Sequence, residues 1–149
     1  MSLPKERQIE IIISHKQRIV ELTNKILEII HDSDTRHEYT AAQRLELRKL
    51  INETVSEITT IVGFCGRSER NWATSMTQSI TLHNLYLEWY MSPVLKFWCT
   101  MANSIIIDFN KTPFKFFGGD LKLKLSQFEA EVKGVADRRE EARTKFSGA

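Results

Sequence analysis

Four histidines, two cysteines and the acids near them are the residues from which this chain could assemble a reactive centre. Glu28-Ile29-Ile30-His31 has the Glu-x-x-His spacing that presents two metal ligands from one helix face in di-iron bundles. The spacing occurs once, and most other acids lie opposite the apolar stripes. His31 therefore reads as a helix-end histidine favoured by the macrodipole. His15 and His83 each border an apolar helical stripe, where a hydrogen-bonded boundary residue is the ordinary outcome. Cys65 and Cys99 sit beside Phe64 and Phe97-Trp98, with no second cysteine at metal-ligand spacing. Both are expected as free buried thiols of a reducing compartment. The chain has no Gly-rich phosphate loop, nucleophile elbow or His-Glu-x-x-His pair. The expectation is a non-catalytic protein without metal or cofactor.

Binding chemistry is better represented. Arg44, Arg48 and Lys49 cluster in one stretch, Arg67 and Arg70 in a second, and Arg138, Arg139 and Arg143, with Lys145, in a third. If the fold gathers them, they would neutralise phosphates and coat a nucleic acid in a salt-sensitive, sequence-independent way. Glu46, Glu53, Glu57, Glu140 and Glu141 lie among them, which favours solvated faces of mixed charge. The net charge of +2 is too small to decide the matter.

A sharper constellation is Phe109, Phe114, Phe116 and Phe117 with Lys111 and Lys115. Asn110 to Gly119 contains a proline, a double glycine and no helical period, so it reads as a linker. Four phenylalanines there do not all reach one core easily, and an apolar cluster left at a surface marks a partner site. Lysines between aromatics suit an acidic partner, an anionic lipid surface or stacked bases. The competing reading has the linker folding back to plug one end of the bundle.

The elements that must position these groups are helical. Ile9, Ile12, Ile19, Leu22, Ile26 and Ile29 recur at three and four from about Pro4 to His31, with Pro4 suited to a first-turn position. Thr40 and Gln43 have capping-box spacing and predict a second helix, carrying Leu47, Leu50, Ile51, Ile58, Ile61 and Val62 and ending at Gly63 or Gly66. Ser68 is expected to cap a third helix running to about Tyr90. Ser92-Pro93 predicts a break or sharp kink, after which Val94 to Phe109 is apolar nearly all round, as in a central helix. Asp120 is expected to cap the last helix. Its Leu121, Leu125, Phe128, Val132, Val135, Ala142 and Phe146 form a heptad-like seam broken by Arg139. Residues 137–149 are charged and expected to project into solvent.

Composition allows one domain over residues 1–149, with 42% hydrophobic and 27% charged residues, enough to bury a core without staples. The start of the chain is charged where a signal peptide needs its apolar run, which points to an intracellular protein, cytoplasmic or virion-associated. Leu85 to Phe109 is long enough to span a bilayer, but Glu88, Lys96, Asp108 and Pro93 oppose a stable span. The fold class is all-α: an antiparallel bundle of four to five helices with a long first helix and a heptad-like last one. Phe116-Phe117-Gly118-Gly119-Asp120-Leu121 followed by a charged amphipathic helix resembles, over about a third of the chain, helical regulatory domains at the N-termini of fungal immune-type NTPases. That resemblance includes no diagnostic motif and implies no residue roles.

The function expected is a helical interaction module that self-associates or docks on a protein through the Phe109–Phe117 linker and the last helix. The alternatives are a nucleocapsid-like coat using the clustered arginines, and a bundle that opens to expose Leu85–Phe109 to a membrane.

Overall fold

The computed structural model describes residues 3–117 and 121–147. Five α-helices and one small β-hairpin make up its regular structure: α1 (Lys5–Asp32), α2 (Ala41–Val62), α3 (Arg67–Leu82), a 3₁₀ turn (Trp89–Met91), α4 (Ser92–Asn103), β1 (Ile106–Asp108), β2 (Lys115–Phe117) and α5 (Leu121–Ser147). The fold is an all-α bundle, as the periodicity predicts.

The first two helices form an antiparallel hairpin. α1 buries Ile12, Ile19, Leu22, Ile26 and Ile30, and its polar edge meets α2 through His15 with Glu57 and through Arg18 with Glu53 at 3.4 Å. The capping box forms as its spacing requires. Gln43 N donates to Thr40 Oγ1 at 3.1 Å, and Thr40 N donates to Gln43 Oε1 at 3.0 Å. The same glutamine reaches back to Asp32 and Ser33, at 3.0 and 3.1 Å, and fastens the turn between the helices.

α3 differs from expectation at both ends. Gly66, not Ser68, is its N-cap, and it stops at Leu82 rather than near Tyr90. Asn84 adopts a left-handed conformation (φ 48°), which lets the Leu85 N–H reach the Ile80 carbonyl at 3.4 Å while both side chains are buried. This is the helix-closing pattern usually made by glycine, here built on asparagine, the next residue type that tolerates the conformation. The Pro93 break is as expected, because α4 starts at Ser92 with the proline in its first turn.

α4 is the central helix, burying Val94, Leu95, Trp98, Cys99, Met101 and Ala102. It ends at Asn103, six residues short of the expected Phe109. Ile105-Ile106-Ile107 is a β-branched run, stiff at χ1 and better suited to a pleated surface than to another helical turn, and it supplies β1. The C-terminus of α4 is held by α1. Lys16 Nζ donates to the carbonyls of Asn103 at 2.5 Å and Ala102 at 3.4 Å, and Asn103 Nδ2 donates to the buried Thr23 hydroxyl at 2.7 Å.

α5 packs on α3 and α4. Trp72 Nε1 donates to the Leu121 carbonyl at 3.2 Å and Arg139 Nη1 to the His83 carbonyl at 3.1 Å, so α3 and α5 run in the same direction. Phe97 stacks on Phe128 with ring centroids 6.1 Å apart. The expected Asp120 cap and the Gly118-Gly119 pair lie outside the described residues, as do the side chains of Lys145 and Phe146. From Glu140 to Thr144 every residue is exposed, in keeping with a charged end that projects beyond the Arg139 tie.

Candidate functional site

The segment read as a linker is a folded hairpin. β1 and β2 pair antiparallel, with Ile106 opposite Phe117, Ile107 opposite Phe116 and Asp108 opposite Lys115. Side chains alternate faces along a strand, so the register sorts these six residues into two sets. Ile107 and Phe116 turn inward and pack on the core, where Phe116 meets Trp72 edge to face at 5.7 Å. Ile106, Phe117, Asp108 and Lys115 share the other face.

Between the strands, Asp108 Oδ1 accepts the Asn110 N–H at 2.9 Å, a local side-chain turn that opens the loop. Phe114 then re-enters the core at 4% exposure, bridged by its backbone to Cys65 and edge to face with the half-buried Phe109 at 5.7 Å.

Three of the four candidate phenylalanines are therefore engaged by the fold, Phe114 fully and Phe109 and Phe116 in part. The segment plugs the bundle end and also leaves an apolar surface. The surface consists of Phe117, 46% exposed, with Ile106, 60% exposed, directly across the strand pair. Lys115 and Lys111 are also exposed. Ile106 and Asp108 lie within the Val94–Phe109 run that reads as helix in the sequence, so that reading does not single them out. The signal in the sequence is the β-branched Ile105-Ile106-Ile107 run followed by the turn-forming Asp108-Phe109-Asn110 and then the aromatic Lys115-Phe116-Phe117.

From Leu121 to Val135 the seam of α5 faces inward, while Ala142 is exposed. Leu121, Phe128, Val132 and Val135 are buried and Leu125 half-buried, so the apolar face expected to meet a partner is occupied by α3 and α4.

The basic residues are divided. Arg44, Arg48 and Lys49 lie at the start of α2 and Arg67 and Arg70 just beyond its end, roughly 30 Å apart along a helix rising 1.5 Å per residue. In the third cluster Arg138 is exposed, Arg139 is committed to the His83 carbonyl, and Arg143 lies 3.9 Å from Glu140.

The groups with reactive potential are held in structural contacts. His15 Nδ1 bonds to Glu57 between α1 and α2. His31 is exposed beside Asp34 at 3.5 Å. Cys65 and Cys99 are buried free thiols, and burial pushes both up to about 12, far from the thiolate form that reacts at neutral pH. Among the described residues no group of three or more His, Cys, Asp or Glu could hold a metal ion. No helix among them is long and apolar enough to cross a membrane; Leu85–Phe109 is divided among a turn, a 3₁₀ turn, the twelve residues of α4 and β1.

No protein-family model, curated protein or solved structure matches the chain.

Proposed function

We propose that this chain is a non-catalytic helical interaction module that self-associates through the outward face of its β-hairpin. One observation carries the proposal: Ile106 and Phe117 stand opposite each other and exposed, and the adjacent pair on the same face is Asp108 and Lys115. No ion pair joins Asp108 to Lys115 within the chain.

A surface bearing an apolar pair beside one acid and one base is complementary to its own copy. A two-fold axis through the hairpin would bring the apolar pairs together and set each Asp108 against the other copy's Lys115. The strands also have few hydrogen-bonded neighbours, since the sheet is two-stranded.

Light scattering of the purified chain across a concentration series, with and without RNA, tests the proposal. Reversible self-association independent of RNA is the expected result. Assembly that requires RNA and dissolves with salt would transfer the function to the arginine clusters.

A further inference from the structure

A second surface, at the end of the bundle where α1 begins, has a different chemistry. The start of α1, the α2–α3 turn and the loop between the hairpin strands enclose a cleft of about 540 Å³, within the range of roughly 300 to 1,000 Å³ typical of small-molecule sites. Its floor is apolar, formed by buried Phe114 and half-buried Phe64, with Pro113 as a wall. Among the described residues its rim carries two cations and no anion. Lys5 and Lys111 are exposed, no acid lines the cleft, and neither ammonium has a hydrogen bond or ion pair among the described residues.

Two other charged concavities make the contrast. Between α1 and α2, Arg18 is matched by Glu21 at 3.2 Å and Glu53 at 3.4 Å, and His15 by Glu57, so that groove is neutralised from within. On α5, Asp137, Glu140 and Glu141 form a solvated acidic cluster on one helix surface. At the α1 end, by contrast, uncompensated charges border an apolar floor among the described residues.

We propose that this cleft binds a single-chain amphiphile with an anionic head, of the fatty-acid class. The carboxylate sits between Lys5 and Lys111 at the rim, with the Thr112 hydroxyl beside them, and the chain lies over Phe64 and Phe114. An inorganic anion would leave the aromatic floor uncovered, and a neutral lipid would leave both ammoniums without a partner. The N-terminal end of α1 adds its partial positive charge to the same side. The cleft and the hairpin's outer face share none of the residues that carry the two proposals, so each stands or falls separately.

Calorimetric titration of the full chain with hexanoate, octanoate and decanoate, each below its micellar concentration, provides the test, with decanol and acetate as the chain without the charge and the charge without the chain. Saturable one-to-one binding is expected, tightening by up to roughly fourfold per added methylene. Lys5→Ala combined with Lys111→Ala should weaken decanoate by about tenfold and leave decanol unchanged. Both lysines are exposed, so the circular dichroism spectrum of that variant should match the parent. Thr112→Trp, at the rim, should obstruct decanoate and decanol alike. Equal affinity for decanol and decanoate, affinity independent of chain length, or undiminished decanoate binding by the double-lysine variant would each overturn the proposal.

Discussion

Replacing Phe117 with serine separates assembly from folding. The ring is 46% exposed in the single chain, and a phenylalanine buries roughly 150 to 250 Å² in full, so about 100 Å² remains to be covered by a partner. At about 25 cal/mol per Å² this is worth around 2 kcal/mol per copy. A two-fold interface contains it twice. Ordering and docking costs remove part of the gain, and retention of half still leaves about 2 kcal/mol, a loss of roughly thirtyfold in dimer affinity. The covered half of the ring is worth a similar amount to the single chain, so its stability should fall by up to about 2 kcal/mol. Phe114→Ala should do the opposite, destabilising the fold by about 3 to 5 kcal/mol because that ring is 4% exposed against the core. Sedimentation velocity reads the first quantity and urea unfolding the second. A wild-type chain that stays monomeric at millimolar concentration would refute the reasoning. So would a Phe117→Ser variant that assembles normally, or one that unfolds as readily as Phe114→Ala.

Three further outcomes are expected. Thr23→Val keeps the side-chain shape but removes the hydroxyl that accepts from Asn103 Nδ2 at 2.7 Å, and should cost about 1 to 3 kcal/mol in urea unfolding; a loss under 0.5 kcal/mol would show that the α1–α4 tie does not depend on this bond. Burial lowers Lys16 from 10.5 to about 8, so between those values the unfolded chain binds a proton that the folded chain lacks, and stability should rise with pH across that window. Lys16→Met should flatten the rise, and an equal slope in the two proteins would assign it to other groups. Cys65 and Cys99, both buried and pushed up to about 12, should react with a thiol reagent in the native protein no faster than the chain opens, and prompt labelling of either without denaturant would contradict their placement.

The bundle was legible because its signals were local and redundant. The Thr40 and Gln43 pair, the isoleucines of α1 and the Ser92-Pro93 start of α4 each specify a feature within a few residues, and each forms as read. What was misread depends on distant partners. Asn84 closes α3 because Leu85 can be buried against the fold after the turn, information absent from the helix itself. Ile106-Ile107-Asp108 forms a strand rather than more helix because Lys115-Phe116-Phe117, further along the chain, is available to pair with it. The α5 seam looked available to a partner because a sequence pattern shows that a face is apolar and says nothing about what covers it; here α3 and α4 do.

The same dependence explains why the hairpin is the element on which a functional reading can rest. Two strands of three residues are marginal in water without support. Support comes from the inner face, where Phe116 meets Trp72 and Ile107 packs beside the core, and from the Phe114 anchor at the end of the loop. These contacts hold the hairpin whether or not its outer residues are apolar. Ile106 and Phe117, at 60% and 46% exposure, therefore contribute less to the single chain than the 4% exposed Phe114. Polar residues on both strands at these positions should lower stability only modestly while removing the means of association. The stability of the chain and its assembly should therefore respond to substitutions on opposite faces of one small sheet, six residues in all, with alternation along each strand deciding which property each residue governs.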